Sequence, residues 1–196
     1  IALNVHVSSD RITKLAAQPD SKLQAYDRWL RGQALIYRYT PQAWQRASDT
    51  FREIIAETPD FAPAYSSLVQ LNNSVHLVHP GVFRDRAREH QTLMLARKAA
   101  GLDPVDSRAQ LALGWAQAMA GQYSQAELNL GLAVDLNDND PWTLISSAHG
   151  FAFCGDMVRA EELARQALSL SVAPSLVHWG YQVGIRFLCG DYEGAV

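Results

Sequence analysis

The sequence has no excess of basic residues. Seventeen Lys and Arg face twenty Asp and Glu, giving a formal charge of −3 and a pI near 6.1. So balanced a chain exerts no long-range pull on a phosphate backbone, which argues against dedicated nucleic-acid binding. No apolar run approaches the eighteen or more residues of a bilayer-spanning helix, so no membrane span is expected. The opening IALNVHVSSD has no Met, no basic leader and no long apolar core, so it is not expected to be a signal peptide. Two cysteines, Cys154 and Cys189, are too few for a disulfide framework and too far apart for a metal knuckle. A reducing, cytoplasmic setting is the expectation. Also missing are a phosphate loop, a Gly-x-Gly-x-x-Gly, a Gly-x-Ser-x-Gly and a His-Glu-x-x-His. What is plentiful is apolar residue, 48% against 19% charged, which marks an ordinary folded chain rather than a disordered one. With no Met at the start, and with GDYEGAV ending where a helix would begin, the chain reads as a fragment of a longer protein.

Internal similarity is the strongest signal. GQYSQA (121–126), GDMVRA (155–160) and GDYEGA (190–195) share the pattern Gly-x-(Tyr/Met)-x-x-Ala, with glycines 34 and then 35 residues apart. Downstream, Ala126, Leu130 and Ala133 recur as Ala160, Ala164 and Ala167, and upstream Gly114 recurs as Ala148. Helical hairpins explain this set. Gly121, Gly155 and Gly190 are expected to end a helix in the left-handed conformation. The small residues let the helices of a hairpin approach closely. One such hairpin cannot bury its apolar face alone, so stacking supplies the core. The pattern resembles the tetratricopeptide repeat. Two degenerate copies precede it, marked by Ala47, Phe51, Ile54 and Pro59 and by Thr92, Ala96, Ala99 and Pro104. Both are expected to lengthen the hairpin connection, through YRYTPQAW (37–44) and HLVHPGVFRDRA (76–87).

The acidic run DLNDNDP (135–141) has the look of a calcium loop, but it lacks the Gly and the bidentate Glu of an EF-hand, having Asp140 and Ser146 there. In register it closes a repeat, with Asp140 as helix N-cap and Pro141 at the first helical position. The expected architecture is all-α, an α-α superhelix of stacked antiparallel hairpins. Helices are expected near 22–38, 42–57, 61–78, 83–101, 107–120, 123–136, 141–153, 157–170 and 175–189, with another starting at Asp191. Residues 1–24 form an N-terminal segment and linker, with a short helix from Ser9-Asp10 to Ala17 and residues 1–7 open between strand and helix. Residues 25–196 form the array, its last repeat truncated.

The phrases AYDRWLRGQAL, HPGVFRDRA, LDPVDSRAQLALGWAQAMAGQY, NDPWTLISSAHGFAFCGD and HWGYQVGIRFLCGDYEGAV resemble the C-terminal tetratricopeptide region of bacterial multidomain signalling proteins. The N-terminal output domain of those proteins is a transcriptional activator or a nucleotide cyclase. The resemblance implies a non-catalytic module without cofactor or metal. Such a module binds a protein or peptide, engages an output domain in cis, or self-associates as a homodimer through its uncapped end.

It also implies a groove lined by the first helix of each hairpin. Carried onto this chain, the groove positions are Ser66, Gln70 and Asn73, then Arg108, Leu111, Trp115 and Met119, then Trp142, Ile145, His149 and Phe153. Its aromatic and amide character suits a peptide or helix held by apolar anchors. The alternative is that Trp115 and Trp142 only pack on neighbouring repeats. The Lys and Asn clamp by which some family members hold a terminal carboxylate is missing, since Leu111, Ile145 and Trp115 occupy positions that would need polar groups. Other candidates are weaker. His76 and His79, with His90 beyond, have metal spacing but no third ligand or base, so a metal-dependent hydrolase is the lesser alternative. A small-molecule sensor would place its ligand near His76 and Phe83. Arg84 and Arg88 alternate with Asp85 and Glu89 as on a solvated helix face, or a docking patch for a missing domain. Cys154 and Cys189 hold equivalent places in consecutive repeats and read as small buried residues rather than a redox pair.

Overall fold

The computed structural model describes residues 20–78, 85–171 and 176–195. Those residues form helices α1 (Asp20–Ile36), α2 (Pro41–Glu57), α3 (Ala62–Val78), α4 (Arg86–Leu102), α5 (Ser107–Met119), α6 (Tyr123–Leu136), α7 (Pro141–Cys154), α8 (Met157–Leu170) and α9 (Leu176–Leu188), with no strand among them. The short extra helix expected before Ala17 lies outside the described residues. So do His79, Phe83 and Arg84, and nothing is described of the His76 side chain.

The hairpins end as the glycine spacing requires. Gly121, Gly155 and Gly190 have φ of 75°, 102° and 80°. After each, the same six-residue closure recurs: Gln122 N–H donates to Gln117 O at 2.8 Å, Asp156 to Phe151 at 2.9 Å and Asp191 to Arg186 at 2.9 Å. This is the bond of the glycine-terminated helix cap, and its repetition shows the three turns to be copies of one device. The acidic run is a turn. Asp140 has extended φ and ψ, and its carboxylate accepts from Trp142 N and Thr143 N, both at 3.3 Å, and from the Thr143 hydroxyl at 2.8 Å. Beyond Gly190 the chain forms a turn over residues 192–195, where a helix was expected. There Asp191 Oδ1 accepts from Gly194 N at 2.9 Å, much as Asp156 accepts from Arg159 N at 3.1 Å to start α8.

The first irregular hairpin differs from expectation at its turn, and the second keeps the long helices expected of it. α1 stops at Ile36 rather than near 38, because Trp44 Nε1 donates to the Ile36 carbonyl at 2.8 Å and caps the helix end. Tyr39 then takes a positive φ of 50°, and Thr40 starts α2. In the second hairpin, α3 and α4 run 17 residues each, against 13 to 14 in the later hairpins. Much of the extra sequence is therefore helix, in keeping with the expected spans 61–78 and 83–101.

Each hairpin packs its own two helices together, and α1, α3, α5, α7 and α9 also pack on one another in sequence. The first helices thus form one continuous layer. Each second helix lies on the other side and contacts the first helix of the next hairpin. Core residues fill the space between, with Phe51 and Ile54 in the early hairpins and Leu130, Leu144 and Phe151 in the later ones, all fully buried. Leu130 seats in a notch between two glycines. A Cβ on Gly114 would lie 2.8 Å from its Cγ, and one on Gly150 2.7 Å from its Cδ1.

Candidate functional site

The layer of first helices carries a cleft. Its walls are Ser66, Ser67, Gln70, Asn73 and Ser74 of α3, Arg108, Leu111, Ala112 and Trp115 of α5, Trp142 and Ser146 of α7, and Tyr181 of α9. The space open to water-sized groups is about 30 Å³. That is room for about two waters or one small functional group. The cleft is therefore a pocket for part of a ligand, with the rest spread over the layer.

The indole walls are fixed by their own bonds. Trp115 is 8% exposed, and its Nε1 donates to the Ser146 carbonyl at 3.2 Å and to Ser146 Oγ at 3.1 Å, which locks α5 to α7. Trp142 is half-buried and meets Tyr181 edge-on, with ring centroids 5.5 Å apart. Burial pushes the Tyr181 hydroxyl upward in pKa, partly offset by hydrogen bonds with Ser146 and Ser74.

The polar wall differs in kind. Asn73 is 8% exposed, and its Nδ2 is buried with no acceptor. An orphaned donor of this sort costs about 1–3 kcal/mol. Arg108 is partly exposed, and among the described residues no carboxylate lies within ion-pair distance of its guanidinium. The nearest acid in sequence, Asp106, caps α5 by accepting from the Arg108 backbone N–H at 3.1 Å. Among the described residues, no Asp, Glu or His lines the cleft.

Five of the residues that the repeat register places in a groove, Gln70, Asn73, Arg108, Trp115 and Trp142, thus meet around one pocket, together with Ser66 and Leu111. Four others do not reach it, among them Phe153, whose ring stands 6.2 Å from Trp115 and 6.4 Å from Tyr123. Ile145 is fully buried and Met119 is 6% exposed, both inside the core. His149 is a wedge behind the pocket. Its ring stands 5.3 Å from Trp115 and 5.2 Å from Tyr181, and its Nδ1 is buried without a partner. Burial pulls its pKa down to about 4, so the ring is neutral. α9 causes this covering. Gly184 has no side chain to exclude the imidazole, and a Cβ there would lie 3.0 Å from His149 Nε2.

Sequence reasoning missed Ser67, Ser146 and Tyr181. With Ala112 they stand five residues after the starts of α3, α7, α9 and α5 respectively, so one further register position would have found them.

The other candidates are scattered. His90 and Arg88 are exposed on α4, whose N-cap Asp85 accepts from Ala87 N at 3.1 Å. Cys154 and Cys189 are both free and half-buried, with Cys189 Sγ 3.6 Å from Met157 Sδ. Burial, then the charge of Glu127, pushes the Cys154 thiol up to about 11. Among the described residues, no group of three His, Cys, Asp or Glu could hold a metal ion, and no helix is long and apolar enough to cross a membrane.

No family model matches the sequence, and no curated protein does. The structure is similar to solved ones. One is TTC0263, a thermophilic TPR protein of Thermus thermophilus, with TM-score 0.62, 18% identity, and coverage of 92% of this chain and 86% of that one. A tetratricopeptide repeat protein of Parabacteroides merdae gives TM-score 0.58 and 14% identity over 86% of this chain and 60% of that one. The fold is a tetratricopeptide-type solenoid. A chain of the APC/C hetero-tetramer Cut9–Hcn1 is also similar, with TM-score 0.56 and 16% identity over 95% of this chain and 40% of that one. Identities this low are natural for a solenoid held by small residues and glycine turns, because the remaining positions are free to vary.

Proposed function

We propose that this chain is a non-catalytic, protein-binding solenoid that holds a peptide or helix of its partner along the first-helix layer, with one side chain in the cleft. The observation that carries this reading is the cleft itself. Four first helices from successive hairpins build it jointly, with two indoles and a phenol as walls and an orphaned amide within. Rigid aromatic surface beside unpaired polar groups is what a peptide-anchoring site presents. Among the described residues that line the cleft there is no imidazole or carboxylate, and the nearby His149 ring is buried behind Trp115 and Tyr181, which favours binding over catalysis. The Cut9–Hcn1 neighbour, whose name gives it as a hetero-tetramer of two proteins, is consistent with such use of the fold. The phrase-level resemblance supports a place within a larger bacterial signalling or transcriptional regulator in the cytoplasm, where an output domain in cis is one candidate partner.

Panning a random peptide library on the whole chain tests this reading. Selected peptides should lose about tenfold or more in affinity for Trp142→Ala, with the melting temperature nearly unchanged because Trp142 is only half-buried. Equal binding to the wild type and the variant would place the partner elsewhere.

A second reading, self-association, has its own observation. Trp179, Val183 and Phe187 form an exposed stripe at i, i+4 and i+8 on α9, 51%, 46% and 60% exposed. Contiguous apolar surface of that kind marks an interaction face.

A further inference from the structure

We propose that Cys189 and Met157 form a two-sulfur site for a soft monovalent cation such as Cu(I). The proposal is independent of the partner-binding reading. Cys189 Sγ lies 3.6 Å from Met157 Sδ, one sulfur just past the end of α9 and the other at the start of α8. Copies of one turn place both residues. Met157 follows Gly155 by two positions, in the turn closed by Asp156 N–H on the Phe151 carbonyl. Cys189 directly precedes Gly190, in the turn closed by Asp191 N–H on the Arg186 carbonyl, and its own N–H donates to Ile185 O at 2.9 Å. The backbone carrying each sulfur is thus fixed before any ion arrives. Two metal–sulfur bonds of roughly 2.3 Å span this separation at an angle of about 100°. Both side chains are half-buried against the core of the later hairpins, apolar on one side and reachable on the other. Burial, then the charges of Glu161 and Asp191, raises the Cys189 thiol, so these carboxylates favour a cation beside the sulfur. Arg186 neutralises part of the Asp191 charge at 3.3 Å. Uptake of the ion breaks the Cys189 S–H bond, forms the sulfur–metal bond and releases the proton to water, with no change of oxidation state. Thiolate and thioether together select soft ions. A structural zinc site needs further ligands, and among the described residues no group of three His, Cys, Asp or Glu could supply them. Cys154 is the internal control. It holds the place of Cys189 one hairpin earlier, where the position equivalent to Met157 is Tyr123, which brings no sulfur.

Anaerobic titration of the whole chain with Cu(I), held by a chromogenic Cu(I) chelator, tests this. The expected result is withdrawal of one equivalent from the chelator, with a sulfur-to-Cu(I) ultraviolet band, and no competition from Zn(II) at equal concentration. Cys189→Ser should lose about a hundredfold or more in affinity, and Met157→Leu, which keeps the apolar volume, about tenfold. Cys154→Ser should stay within about twofold of the wild type. Circular dichroism of Met157→Leu matching the wild type shows that its loss is that of a ligand and not of the fold. No withdrawal from the chelator would overturn the proposal. So would affinity indifferent to Met157→Leu, or equal losses in the two cysteine variants, either of which assigns adventitious binding to any thiol. Peptide capture at the cleft should be unchanged in all three variants, so this site and the partner-binding reading stand or fall separately.

Discussion

At the scale of single residues, packing is decided by where side chains are absent. Gly114 was legible as a close-approach position because it recurs as Ala148. Its partner notch at Gly150 was not, because nothing in the pattern marks the residue that Leu130 touches on the next hairpin. Gly114→Ala would force a Cβ to 2.8 Å from Leu130 Cγ and 3.0 Å from its backbone N, so α6 itself must shift. The expected cost is about 1–3 kcal/mol, read as a lower urea midpoint at unchanged slope. His149 sets a pH dependence. Its folded pKa of about 4 lies below the ordinary value of 6.5, so between those values the unfolded chain binds more protons. Stability is therefore full above about pH 6.5 and falls as pH drops toward 4, by at most about 3 kcal/mol. Burial lowers His178 too, with Asp140 opposing, so it adds in the same direction. In His149→Gln the slope of stability against pH should be visibly flatter over this range, but not zero. An unchanged slope would show that the ring is not buried as described.

At the scale of elements, helix ends near glycine, proline and capping residues were readable, and those set by tertiary contacts were not. Asp140 before Pro141 placed the start of α7 correctly, because the cap acts through its own neighbours. The end of α1 shifted because a residue of the next helix, Trp44, takes its last carbonyl, which local sequence cannot announce. In the second hairpin α3 and α4 run 17 residues each, close to the expected 61–78 and 83–101, because the apolar periodicity continues through the added sequence. The same scale carries a test of the repeat. At Gly155 φ is 102°, so Gly155→Ala should destabilise by about 1 kcal/mol or more, measured by thermal melting. A neutral effect there would mean that the α7–α8 turn is not the left-handed cap that its copies at Gly121 and Gly190 share.

At the scale of the whole molecule, the repeat predicts a layer of first helices, and the structure turns that layer into a specific pocket. Gln70, Asn73, Arg108, Trp115 and Trp142 could be placed there by register alone. Ile145, Met119 and His149 could not be sorted from them, because their exposure depends on how tightly α9 and its neighbours stack. Periodicity states which side of a helix faces the layer; packing decides what remains open. The orphaned Asn73 amide is legible only in three dimensions, since an unmet hydrogen bond is a property of surroundings.

The central claim is that a partner binds over the cleft of the first-helix layer, and the tryptophans report on it directly. Trp115 and Trp142 line the cleft, Trp44 is buried beneath the first hairpin, and Trp179 stands exposed on α9. Their indole N–H resonances can be followed while a library-selected peptide is added. The account predicts saturable shifts at Trp142 and Trp115, with Trp44 and Trp179 unmoved. Shifts at Trp179 alone, with the cleft tryptophans silent, would contradict it and put the interaction on the α9 stripe.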